Sequence, residues 1–94
     1  MMDDTEEDRT ERAIGRGVQA QALMRNELLQ EGFAKLEADY IQAWRTAPVR
    51  DMQMREKLFL AINVLVKVKD HLAKVLADGN VAQADLNMRE KTRR

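Results

Sequence analysis

Between positions 58 and 66 the sequence reads LFLAINVLV, and only Asn63 is polar. A helix that is apolar on nearly every face must be covered on nearly every face, and this demand limits what a chain of 94 residues can become. Leu58, Ala61, Leu65, Val68, Leu72 and Val75 alternate at spacings of three and four, the seam of a coiled coil, and Met54 extends it one step upstream. One partner helix accounts for that seam. Phe59, Leu60, Ile62, Val64 and Val66 then lie on other faces, with nothing in a two-helix layer to shelter them. Burying one such side chain is worth roughly 1.5–3 kcal/mol, so the set together rivals the whole margin by which a small domain is stable. The expected interface with another copy is therefore Phe59, Leu60, Ile62 and Val66, in a homo-oligomer. A compact monomer, with its first helix folded over these residues, is the rival arrangement.

The partner of the seam lies upstream. Ile14, Val18, Ala22, Leu29, Phe33, Leu36, Tyr40 and Trp44 recur at sevens, fours and threes, one stripe of a 3.6-residue period. Gly15, Gly17 and Gly32 interrupt it, each costing about 1 kcal/mol relative to alanine in a helix interior. Gly32 is the expected break, because residues 26–30 read as a finishing turn and Phe33 restarts the stripe. This predicts helices over about 10–30 and 32–46. Pro48 lacks an N–H and pushes Ala47 out of the helical region, so the second helix should end near Thr46. Asp51 can cap the next helix, expected over 51–78 and closed at Asp78-Gly79-Asn80 by a left-handed Gly79. A short helix over 81–88 would follow, with Val81, Ala84, Leu86 and Met88 partly buried.

The fold so predicted is all-α: an antiparallel helical hairpin over 32–78 closed by Tyr40, Trp44, Pro48 and Asp51, with an additional N-terminal helix and a short C-terminal segment. One helical domain spans 10–88. Residues 1–9 form an acidic head, with Asp3, Asp4, Glu6, Glu7 and Asp8 crowded together, expected to be disordered or frayed. Residues 89–94 form a loose basic tail.

Composition excludes more than it assigns. Cysteine is absent, so neither a disulfide nor a thiolate metal site supplements the core. The first residues are acidic where a signal peptide would be basic and then apolar, and no apolar run approaches the roughly 20 residues that span a bilayer. A soluble, cytoplasmic-type protein is expected. Lys+Arg and Asp+Glu balance at 16 each, which removes the electrostatic prior for a dedicated nucleic-acid binder.

Catalytic equipment is not visible. His71 is the only histidine, and the chain has no serine to serve as its nucleophile. It reads as a surface or rim residue. Glu37, Asp39 and Asp51 lie on polar helix faces or at a cap, where solvated charge is the simple role. Gly15-Arg16-Gly17 lacks the preceding strand and the lysine of a phosphate loop. No cofactor, metal or small-molecule substrate is expected. Tyr40 and Trp44 stand one turn apart and suit an aromatic pair packed on Met54 and Leu58. Base stacking would need a basic groove around them, and Glu37 and Asp39 argue against one. Arg45, Arg50 and Arg55 surround the turn, where pairing of Arg50 with a carboxylate is the plainer reading than phosphate binding. The better candidates for weak nucleic-acid contact are Arg89, Lys91, Arg93 and Arg94 in the tail.

Over residues 40–86 the chain resembles a group of short proteins encoded by tailed phages and prophages. The resemblance rests on Tyr40-Ile41 followed by Trp44, on Pro48 with Arg50-Asp51, on Lys67-Val68 followed by His71-Leu72, and on Asp78-Gly79 before an alanine-rich segment. Phe59 stands where the group tends to have tryptophan, and Gly32 where an Asn-Pro break is common. Such genes neighbour virion-structure and DNA-packaging genes. The resemblance implies a virion or packaging accessory, with other phage structural proteins as further partners, placed in the host cytoplasm during assembly or in the virion. It carries over no catalytic residue. Two alternatives stand beside it: a DNA-binding regulator or packaging adaptor using the basic tail, and an inhibitor that captures a host protein through the acidic head.

Overall fold

The structure is a computed structural model and describes residues 5–93. Among the described residues it is all-α, with no strand: α1 spans Glu6–Arg25, α2 spans Glu27–Thr46 and α3 spans Met52–Thr92.

The start of α1 differs from the expected disordered head. The side-chain oxygen of Thr5 accepts a hydrogen bond from the Asp8 backbone N–H at 3.1 Å, which caps the helix. Glu6, Glu7 and Asp8 then occupy the first turn, where negative charge meets the positive end of the helix dipole. The crowding read as a reason for disorder is thus a helix-start signal, and α1 begins four residues before position 10. The rest of that head, residues 1–4, lies outside the described residues.

The break between the first two helices falls at Asn26, and the expected break at Gly32 is corrected. Asn26 is extended, with φ −69° and ψ 115°, and its Oδ1 accepts from the Leu29 N–H at 2.9 Å. Asparagine offers the chain an alternative hydrogen bond on leaving the helix, whereas Gly32 offers only a loss of helix propensity and stays inside α2. The other end of α2 is as expected. Ala47 is extended at φ −64° and ψ 137°, Pro48 follows, and Asp51 Oδ1 accepts from the Met54 N–H at 3.1 Å to cap α3.

The third helix is the larger correction. It runs 41 residues without interruption through Gly79, which has no positive φ, so the separate helix over 81–88 and part of the basic tail are its continuation. Gly79, Ala82, Leu86 and Arg89 extend the three-four alternation of Leu58, Ala61, Leu65, Val68, Leu72 and Val75 along the same face.

The helices pack as two compact units where the sequence suggests one domain. One joins α1 as far as Met24 to α3 from His71 onward. Its buried positions are small: Thr10, Gly17, Ala20 and Gly79. Ile14, Leu72, Val75, Ala82 and Leu86 are half-buried around them. The other unit spans Arg25–Asp70 and holds α2 with the first part of α3. No residue of this second unit is fully buried; Leu29, Phe33, Tyr40 and Ile41 of α2 and Leu58, Ala61, Ile62 and Leu65 of α3 are half-buried.

Candidate functional site

In the Arg25–Asp70 unit, Lys69 and Arg55 of α3 make polar contacts with α2 and its C-terminal end. Lys69 pairs with Glu37 at 3.7 Å. The Arg55 guanidinium lies over the Trp44 ring, 4.5 Å from its centre, and donates to the backbone carbonyls of Trp44 at 3.1 Å and Ala47 at 3.4 Å. Arg55 therefore satisfies carbonyls that the end of α2 leaves without helical partners.

These contacts locate one edge of the unit. Seven residues make two helical turns and return to nearly the same face, so Arg55, Ile62 and Lys69 share one line on α3, as Glu37 and Trp44 do on α2. Beside the α3 line stands a ridge of Met52, Phe59 and Val66. Beyond the ridge, again at seven-residue spacing, come Glu56, Asn63 and Asp70. Phe59 is 57% exposed and Val66 40%, Met52 still more, while Ile62 is half-buried between ridge and helix pair. Trp44 is also partly exposed on α2, with the Arg55 guanidinium over its ring.

Leu60 belongs elsewhere. It stands about 100° around α3 from Phe59 and groups instead with the exposed Val64. The four residues expected to form one interface thus divide between two faces, with Phe59, Ile62 and Val66 on the edge marked by Arg55 and Lys69 and Leu60 on the other side.

Of the expected closure residues Tyr40, Trp44, Pro48 and Asp51, the last two meet in the turn. Asp51 caps α3 and its own N–H donates to the Pro48 carbonyl at 2.9 Å. Tyr40 is half-buried. The residue that closes the turn on Trp44 is Arg55, which sequence reading treated as one of three basic residues around the turn; its heptad spacing from Ile62 was the available signal.

In the other unit, Arg89 donates to Glu6 Oε1 at 2.8 Å and pairs with Asp85 at 2.8 Å. Of the residues considered for nucleic acid, Arg89 is therefore enclosed by two carboxylates, Lys91 and Arg93 are exposed, and Arg94 lies outside the described residues. His71 is exposed at the rim of a shallow depression shared with Arg16, Val75, Lys74 and Asp78, and the last two pair with each other at 2.8 Å. Among the described residues no three His, Asp or Glu side chains converge on a metal-sized site, and no helix is long and apolar enough to cross a membrane.

No protein-family model, curated protein or solved structure matches the chain.

Proposed function

We propose that this chain is a non-enzymatic structural or assembly protein of a tailed phage, a virion or DNA-packaging accessory, in which α2 and α3 pair as an antiparallel hairpin that self-associates through the outer edge of α3. The observation that carries the reading is the exposed Phe59 and Val66 ridge beside Ile62 on α3. Surface hydrophobics scattered singly need no explanation, but a contiguous row at helical spacing, rimmed by charge, is the form of an interaction surface. The phage setting is supported by the resemblance over residues 40–86. Host cytoplasm during assembly, or the virion itself, is the place it implies, with other phage structural proteins as further partners.

The alternative of a DNA-binding regulator or adaptor has less support, because Arg89 already neutralises Glu6 and Asp85. Capture of a host protein by the acidic head is likewise less favoured, since Glu6 is engaged by Arg89.

Sedimentation velocity at micromolar concentration tests the reading. An oligomer is expected for the wild-type chain, and Phe59→Glu should dissociate it while leaving the helical circular-dichroism signal in place. A wild-type chain that sediments only as monomer would remove the ground for an assembly role.

A further inference from the structure

The ridge on α3 has a charge pattern that specifies what lies against it. Met52, Phe59 and Val66 form its crest. One flank carries Arg55 and Lys69 with Ile62 between them; the other carries Glu56 and Asp70 with Asn63 between them. On the cationic flank Arg55 is held by the Trp44 ring and two carbonyls, and Lys69 pairs with Glu37 at 3.7 Å. Across the crest, then, basic positions on one side stand level with acidic positions on the other, at both ends of the same two turns.

We propose that the occupant of this ridge is the same ridge of a second copy, lying parallel to it and in register. The inference rests on the self-association proposed above and adds its partner face and its direction. A two-fold axis parallel to two helices brings opposite flanks together. Arg55 of each copy then faces Glu56 of the other, Lys69 faces Asp70, and Phe59 and Val66 meet their own equivalents at the centre. Every flanking charge finds its opposite. A two-fold axis perpendicular to the helices makes them antiparallel and brings like flanks together. Arg55 then faces Lys69, and Glu56 faces Asp70, so every flanking charge meets its own sign. Charges across a helix pair set partner orientation in this way because like-charge juxtaposition is penalised as opposite charge is rewarded. The chain's formal net charge of zero at pH 7 adds no long-range repulsion between copies.

Asp70→Lys separates the two directions by the sign of its effect. Asp70 is exposed, so the substitution leaves the fold intact. In the parallel pair the new lysine opposes Lys69 of the other copy at two symmetric places, and the dimer dissociation constant measured by sedimentation equilibrium at low salt should rise roughly tenfold, the scale of two exposed ion pairs. The change should shrink at high salt. Because the chain has no native cysteine, Val66→Cys supplies a second readout: mild oxidation should link it to its own equivalent. A dimer that tightens on Asp70→Lys, or that is unmoved by it, overturns the proposal while leaving self-association standing. So does Val66→Cys that links only to Phe59→Cys in a mixture of the two variants. A wild-type chain that is monomeric in the same cell removes the self-association reading itself, so the two failures are distinct.

Discussion

Gly17 of α1 and Gly79 of α3 meet backbone to backbone: a Cβ placed on Gly79 would stand 2.8 Å from the Gly17 Cα, and one placed on Gly17 would stand 2.9 Å from the Gly79 Cα. Neither residue has a positive φ, so each glycine is required for space and not for backbone conformation. The Ala13 carbonyl would be 3.0 Å from the same Cβ on Gly79, which leaves no flexible side chain to yield. Two helices in contact at this distance bury little apolar area, consistent with Thr10 and Ala20 as the other buried positions of α1.

Glycine to alanine substitutions should therefore have opposite signs at different positions. Gly79→Ala forces the two backbones apart and is expected to lower stability by about 1–3 kcal/mol, the usual cost of overpacking, despite the gain in helix propensity. Gly15 and Gly32 are helical glycines with nothing within 4 Å of an added Cβ. Alanine there should raise stability by up to about 1 kcal/mol at each site. Urea unfolding followed by circular dichroism compares the set, and a stabilised Gly79→Ala would show that α1 is not held against α3 at this point.

The same contact explains which parts of the fold were legible in the sequence. The seam from Leu58 to Val75 was readable because its residues are apolar and regularly spaced. Its continuation was hidden because the next seam position is Gly79, flanked by Asp78 and Asn80, a combination that locally resembles a helix stop. Only the approach of Gly17, more than sixty positions away in the sequence, converts that signal into a packing position. At the other misread break, residues 26–30 read as a finishing turn before Gly32, and the deciding feature is the Asn26 side chain, which accepts from Leu29. Of the candidate site, Phe59 and Val66 stood out because they lie off the Leu58–Val75 seam, but the assignment of Leu60 to the same face did not respect helical geometry.

The caps of α2 and α3 hold those helix boundaries, and their removal is separable from core effects. Asn26→Ala deletes the acceptor for the Leu29 N–H and Asp51→Ala the acceptor for the Met54 N–H. Each should lower stability by about 0.5–2 kcal/mol, whereas Asn26→Asp and Asp51→Asn should stay near wild type because both retain a side-chain oxygen. Thermal unfolding measures the difference. Equal losses in the alanine and the conservative variants would indicate that the caps are not what sets these boundaries.

Arg55 combines three interactions in one side chain, so lysine should not replace it. A lysine ammonium lacks the planar fork that here stacks on Trp44 and donates to its carbonyl and that of Ala47. Arg55→Lys and Arg55→Leu should each lower stability, by about 1 kcal/mol or somewhat more. Both should also shift the emission of Trp44, the only tryptophan in the chain. Unchanged fluorescence in Arg55→Leu would mean that the guanidinium does not rest on the ring in solution.

The fate of Arg89 decides between assembly and nucleic-acid binding. Its guanidinium is held at 2.8 Å by both Glu6 and Asp85, and a phosphate would have to compete with those carboxylates. If the basic end of α3 bound DNA, converting Glu6→Gln and Asp85→Asn together would free Arg89, raise the affinity and steepen its salt dependence by about one phosphate contact. The stability effect of the same change should be small, under about 1 kcal/mol for such exposed pairs. The expected result is that neither the wild-type chain nor the double variant retards duplex DNA at physiological salt. Retardation that strengthens in the double variant and disappears on deleting residues 89–94 would restore the DNA-binding alternative.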